Sequence, residues 1–327
     1  GDHNMIEASS IIRIGGVSID VSHPKAFASN LEKYCMNMRY ALEYDDGFRT
    51  KQELEWFKNR YGLDGIAQSI EEMAGQVDVG FIQSCNWDKH LDQAMPFIRE
   101  GKPVFIDKPI VGSMKDIARL RALADTGARI MGSSSIRYCR EIRDFLAKSE
   151  QERGKILTVY GTSGTDEFNY SIHIVEGMSA LAGAPAESCR YLGEVRTEDG
   201  QRCQNYLIEY ASGIQGIYSA CLDVWQPFVL VVVTTKSVYH FEIDLDLIYS
   251  ALLQQISHAL RNDGRSCMAD LDTLINCTQI MLCGKKSRDE ADGRAVRIEE
   301  LTPEDAFDGA AFEAEYAKIA NRSVYQD

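Results

Sequence analysis

Short apolar runs alternate with amphipathic segments through the first 130 residues, and this alternation limits the possible fold more than any other feature of the chain. Ile11–Val17, Met38–Glu43, Val77–Gln83, Val104–Ile106 and Arg129–Met131 read as buried strands. Helices are expected between them. Pro24 suits a first helical turn, and Phe27, Leu31 and Tyr34 fall on one face behind it. Thr50-Lys51-Gln52-Glu53 is a capping-box pattern with Gly62 placed to close the helix, and Ser69-Ile70-Glu71-Glu72 repeats it. Asp88–Glu100 closes at Gly101, and the helix opened by Ser113 closes at Gly127. Strands and helices at this spacing require right-handed crossovers and a parallel sheet. The expectation for residues 1–132 is an α/β, doubly wound domain.

The texture changes near residue 132. Arg140–Lys148 and Asn169–Leu181 read as helices, with Ile156–Gly161 a strand between them. Ser188–Asp244 is mostly β, with strand candidates at Tyr206–Tyr210, Gly216–Ala220, Phe228–Thr234 and Val238–Ile243. Their short connections favour antiparallel pairing, and Ile248–Cys283 is helical. Residues 133–327 are therefore expected to form an α+β domain with a large, mostly antiparallel sheet.

Composition narrows the partners. The net charge of −14 and the absence of a basic run argue against nucleic acid, which is captured by clustered Lys and Arg. The longest apolar stretch, Phe228–Val233, is far short of the roughly 20 residues that span a bilayer, so no membrane partner is expected. Nine cysteines, an odd number without a C-x-x-C pair, read as reduced thiols in a cytoplasmic protein. No histidine pair has ligand spacing, so no metal is expected.

An open parallel sheet binds its ligand beyond the carboxyl ends of its strands. Gly15, Gly16 and Ser18 follow the first strand there, Asp45 the second, Ser84 and Asn86 the Val77 strand, and Asp107-Lys108-Pro109 the Val104 strand. The first turn has two adjacent glycines and no third, and Asp20 within it would repel a phosphate unless turned away. Asp45 suits a ribose hydroxyl and favours NAD, although it lies 29 residues past Gly16, and Arg49 nearby suits the 2′-phosphate of NADP.

Gly101-Lys102-Pro103-Val104-Phe105-Ile106-Asp107-Lys108-Pro109 resembles the Gfo/Idh/MocA family of NAD(P)-dependent oxidoreductases, with Asp107 a shortened form of the family's Glu-Lys-Pro acid. Asn86 with His90, Ser135-Ile136-Arg137-Tyr138, Asn169-Tyr170-Ser171-Ile172-His173 and Gly293-Arg294-Ala295-Val296 are similar to further family segments. The resemblance implies a Rossmann-type first domain. It also implies hydride transfer between NAD or NADP and a hydroxyl-bearing carbon of a sugar, polyol or sugar derivative, in a homodimer or homotetramer. Lys108 would polarise the reacting oxygen and His173 would be the base. Asn169, at the family's Asp position, would hydrogen-bond without charge. Gly15, Gly16, Ser18, Asp45, Ser84, Asn86, Asp107 and Lys108 would hold the cofactor, and Arg137, Tyr138 and Tyr170 the substrate. His23, His90, His240 and His258 read as structural. The altered first turn and Asn169 keep a second reading open, an inactive small-molecule-binding protein on the same fold.

Overall fold

Six parallel strands form the first sheet of the computed structural model, which describes residue 6 and residues 10–327. They are β1 (Ile12–Val17), β2 (Met38–Tyr44), β3 (Gly65–Ile66), β4 (Val79–Ile82), β5 (Val104–Asp107) and β6 (Ile130–Ser133), in the order β3-β2-β1-β4-β5-β6. The order reverses between β1 and β4, the switch point of a doubly wound sheet. The crossovers are α1 (His23–Lys33), α2 (Lys51–Tyr61), α3 (Ile70–Ala74), α4 (His90–Arg99) and α5 (Met114–Asp125). Their ends follow the local signals. Thr50 and Glu53 cap each other's backbone N–H, and Gly62 closes α2 in the left-handed region at φ 66°. The two-residue β3 is too short for an apolar run to announce it.

Gly15 and Gly16, expected in the turn as cofactor contacts, lie inside β1. A Cβ on Gly15 would press on Met73 and Val77, and one on Gly16 would overlap the Glu43 carboxyl and crowd Tyr40. The two glycines are therefore packing positions. Gly16→Ala is expected to destabilise the fold by about 1–3 kcal/mol, the usual cost of overpacking a filled core. Chemical denaturation of both proteins checks this, and an unchanged midpoint would show that Glu43 can give way.

The second sheet has the order β12-β11-β7-β10-β9-β8-β13. Its strands are β7 (Ile156–Thr165), β8 (Ala186–Arg196), β9 (Arg202–Tyr210), β10 (Gln215–Leu222), β11 (Val229–Thr234), β12 (Val238–Glu242) and β13 (Val296–Arg297). All pairs are antiparallel except β7 with β10, which short connections did not foretell. The helices of this half are α6 (Arg140–Ala147), α7 (Glu150–Arg153), α8 (Ser171–Ala182), α9 (Ile248–Arg261), α10 (Leu271–Glu290) and α11 (Gly309–Ile319). Helix α8 lies on β7, where Gly161 leaves room for Ile174 and Met178. That packing brings the start of α8 against the carboxyl end of β5.

The chain then returns to the first sheet. Helix α9 packs on α1, and α11 packs on the 3-10 turn Trp87–Lys89. Phe307 stacks on Phe168 at 4.1 Å, and Phe312 lies 5.1 Å from Trp87. Beyond α11, Lys25 donates to the Val324 carbonyl at 2.6 Å and Tyr325 Oη donates to the Val21 carbonyl at 2.7 Å. Tyr325 is buried against Phe57. Residues 309–327 thus form a closing segment over the turns that follow β1, β2 and β4.

Candidate functional site

Strand β5 ends in Asp107 and delivers Lys108 to the gap between the two halves. Lys108 Nζ donates to the Asn169 carbonyl at 2.8 Å and to Asn169 Oδ1 at 3.2 Å, and lies 5.3 Å from the Tyr170 ring centroid. Burial pulls the Lys108 pKa down, while the carboxyl groups of Asp107, Asp166 and Glu176 push it back up. One turn along α8, His173 is 4% exposed, and its Nδ1 shares a hydrogen bond with Ser134 Oγ. Phe228 meets the imidazole edge-on at 5.2 Å and stacks on Tyr170. Lys108, Asn169, Tyr170 and His173 therefore converge on one polar cleft with an aromatic wall.

The chemistry of the cleft is set by its charges. Burial first, and the nearby Lys108 and His23 next, hold the His173 pKa well below its ordinary value, so the imidazole is neutral at physiological pH. The sign of the resulting stability effect follows. As pH falls below about 6.5 the unfolded chain takes up a proton that folded His173 refuses, so stability present above that pH is lost by up to about 1.4 kcal/mol per pH unit. His173→Gln is expected to remove that part of the slope, read by comparing denaturation midpoints of the two proteins at neutral and mildly acidic pH. Parallel slopes would show that His173 is protonated in the fold.

Several groups at this cleft escaped the sequence reading. Asp166 Oδ1 accepts from the N–H groups of Phe168 and Tyr170, which shapes the entry to α8. Glu176 accepts from Ser134 N at 2.8 Å and from Arg137 Nε at 3.1 Å. His23 Nδ1 lies 2.9 Å from Asp107 Oδ2, and the His23 ring centroid is 6.1 Å from that of His173. Its place just before Pro24, at the start of the first crossover helix, was the available signal. His90 is structural as expected, with its ring nitrogens on the carbonyls of Ile110 and Ser84.

Two expected substrate contacts point elsewhere. Arg137 is committed to Glu176 and to the Cys277 sulfur at 3.5 Å. Tyr138 is buried, and its Oη accepts from Ala269 N at 2.7 Å. Arg137 reaches the cleft only through Glu176, and Tyr138 ties the segment before α10 to the first sheet. Both are spent on packing because the 3-10 turn Ser135–Tyr138 is buried between the two halves.

The other end of the crevice is crowded. Ser18 is fully buried at φ 74°. Counted as G-x-G-x-x-G from Gly15, the pattern places Val17 and Asp20 where the second and third glycines would let a backbone approach a pyrophosphate. Asp20 Oδ2 accepts from Cys85 N at 3.1 Å. Asp45 Oδ1 accepts from Ile19 N, and burial with the Asp20 charge pushes the Asp45 pKa up to about 6. Burial first, then the Asp45 and Asp20 charges, raise the Glu43 pKa well above its ordinary value. Ser84 Oγ donates to Gln93 Oε1 at 2.7 Å, and Asn86 Oδ1 accepts from Asp88 N at 3.0 Å.

Arg49, expected as a 2′-phosphate partner, is instead buried. It donates to the Asp20 carbonyl at 2.8 and 3.1 Å, to Glu53 at 2.9 Å and to the Asn321 carbonyl at 2.8 Å. Among the described residues, Asp20, Cys85 and Glu313 form one group with metal-ligand atoms within 4.8 Å of one another. Burial, with the Asp20 and Glu313 charges, raises the Cys85 pKa, which keeps the thiol protonated rather than ready as a thiolate ligand.

A nicotinamide cofactor therefore fits the two ends differently. Lys108, Asn169 and His173 suit a site where a hydroxyl is polarised beside a hydride acceptor. At the β1 end, Tyr325 and Arg49 bind the backbone of the first turn itself, so a pyrophosphate fits only with the closing segment moved aside.

Comparison with known proteins places this geometry. Residues 46–133 match the model of an oxidoreductase family with an NAD-binding Rossmann fold. No curated protein matches the chain in sequence. Among solved structures, scyllo-inositol dehydrogenase from Lactobacillus casei with bound NAD(H) and scyllo-inositol is 15% identical, with 89% of this chain and 100% of that one covered at a TM-score of 0.72. Myo-inositol dehydrogenase from Lactobacillus casei in complex with NAD(H) and myo-inositol is 12% identical, with 89% and 98% covered at 0.75. Myo-inositol 2-dehydrogenase from Lactobacillus plantarum is 13% identical, with 88% and 99% covered at 0.72. At these identities the likeness is one of fold.

Proposed function

We propose that the chain, whose residues 46–133 match the Gfo/Idh/MocA oxidoreductase model, is a member of that family and an NAD-dependent dehydrogenase of polyols. Its substrate class is a hydroxyl-bearing ring carbon, with inositol-like cyclic polyols the first to try, since solved relatives of the same fold hold them. The observation that carries this reading is the ammonium of Lys108, fixed by both oxygens of Asn169 beside a neutral His173. Bound there, the nicotinamide supplies a hydride acceptor. Lys108 binds the substrate oxygen and stabilises the negative charge it gains as its proton leaves. Tyr170 and Phe228 form the wall that keeps water off the reacting carbon. Asn169 and Lys108 would hold the nicotinamide end, and Ser18, Asp45 and the 84–86 turn the remainder.

NAD is proposed over NADP, and the charges at the end of the second strand support it. Asp45 and Asp46 follow β2, and the nearby Arg49 has its guanidinium engaged inside the protein. A 2′-phosphate there would meet these carboxylates, with the Arg49 guanidinium already engaged. The open face of the second sheet, with Leu157, Leu192, Val195 and Val238 exposed, is the proposed contact of a dimer or tetramer. The described residues contain no helix long and apolar enough to cross a membrane, and nine free cysteines suit a reducing, cytoplasmic setting.

The test is a panel of inositols and sugar alcohols with NAD⁺ or NADP⁺, followed by the absorbance of the reduced nicotinamide. Turnover with NAD⁺, and at least about tenfold less with NADP⁺, is the expected result. The covered β1 end favours a second reading, a polyol-binding protein without turnover. Polyol binding by calorimetry, with no binding of NADH, would select it.

A further inference from the structure

His23 is the first residue of α1, and its ring is held between Phe27, stacked at 5.5 Å, and Tyr249, edge-on at 5.3 Å. Its Nδ1 meets Asp107 Oδ2 at 2.9 Å. The same oxygen accepts from Gln83 Nε2 at 3.1 Å, and Asp107 Oδ1 accepts from Lys108 N at 2.8 Å. Burial alone would raise the Asp107 pKa, but His23, Lys108 and Gln83 outweigh it and hold the group ionised. An ionised carboxylate only accepts hydrogen bonds, so in the neutral form of the His23 ring the proton sits on Nδ1 and Nε2 is left as an acceptor. A carboxylate behind an imidazole both fixes the tautomer of a base and stabilises the imidazolium it becomes.

His173 has the opposite surroundings. Its Nδ1 partner is a hydroxyl, Lys108 is the charge nearby, and Asn169 offers no compensating anion. The two rings are neighbours, with centroids 6.1 Å apart, so a hydroxyl that reaches the edge of one lies beside the other as well. The titratable groups that face His23 are Asp107 and Lys108 after β5, His173 from α8 and Tyr249 from α9. Asp107 alone hydrogen-bonds its ring.

We propose that His23, oriented by Asp107, takes the hydroxyl proton when the substrate is oxidised, with His173 positioning the substrate. This rests on the dehydrogenase reading above. The C–H bond breaks with its electron pair leaving for the oxidised nicotinamide. The O–H electron pair becomes the second bond of the carbonyl, and the proton passes to Nε2 of His23, where Asp107 balances its charge. Reduction runs the same steps backwards.

Two measurements test it. In polyol oxidation with NAD⁺, His23→Gln is expected to lower kcat by about 10³-fold and to abolish the acid limb of the pH profile, with KM changed less than about threefold. His173→Gln should lower kcat less and keep the limb, and Asp107→Asn should shift it. A His23→Gln enzyme that retains the limb overturns the proposal. Nitrogen-15 histidine NMR of the cofactor-free protein reads the tautomer without turnover. The Nδ1–H form of His23 is expected, relaxing toward Nε2–H in Asp107→Asn, and an Nε2–H signal in the unsubstituted protein also overturns the proposal. Absence of turnover with every polyol would sink the dehydrogenase reading alone, and the NMR result would still decide the state of His23.

Discussion

Truncation after Asp308 is expected to tighten NADH binding by about 30-fold. With the cofactor placed as proposed, it and the closing segment would compete for the β1 turn, and the apparent dissociation constant would be the intrinsic one divided by the fraction of molecules that stand open. Burial of Tyr325 against Phe57 and its bond to the Val21 carbonyl hold the segment down. One buried aromatic side chain contributes about 2 kcal/mol, which corresponds to roughly that factor. Phe307, stacked on Phe168, remains in the truncated chain, while Trp87 and Phe57 lose Phe312 and Tyr325. Tyr325→Ser is a milder version, with about a tenfold gain expected. Calorimetric titration with NADH, on proteins that still unfold in one cooperative transition, gives the answer. Weaker binding after truncation would mean that residues 309–327 are part of the cofactor's seat rather than its cover.

Lys108→Met should lower kcat by about 10³-fold, the scale of removing a group that stabilises charge on a reacting oxygen. The fold is expected to survive, because Asp107 keeps His23 and Gln83 as partners and Asp166 keeps its two backbone N–H donors. Lys108→Arg restores the charge but not the fit, since a planar guanidinium cannot meet both oxygens of Asn169 as a compact ammonium does. A small recovery is therefore expected, read as kcat in steady-state kinetics. Unchanged turnover in Lys108→Met would place the reacting carbon away from β5.

The first sheet was legible because its signals are local. Thr50, Glu53 and Gly62 bound a helix by contacts within one turn, and Val104–Ile106 is a strand that needs no partner to be recognised. The pairing of Lys108 with Asn169 was legible through short motifs, although Asn169 lies in the turn before α8 and not one helical turn from His173. The remainder depends on contacts between distant residues. Gly16 looked like a turn glycine until Glu43 and Tyr40 were seen to need its space. Arg49 looked free until the Asn321 carbonyl reached it from 272 residues away. His23 looked structural because its partner, Asp107, is 84 residues distant. The parallel pairing of β7 with β10 was hidden for the same reason, with β8 and β9 intervening in the chain.

The bonds that hold the closing segment down, Lys25 to Val324 and Tyr325 to Val21, join residues separated by 299 and 304 positions. A ribosome adding about 5–20 residues per second needs roughly 15–60 s to make the intervening chain. During that interval β1, α1 and β2 are already synthesised, and nothing yet lies over the turn between them. The bonds that close this crevice are therefore among the last that the growing chain can make, and they come after both sheets have been synthesised.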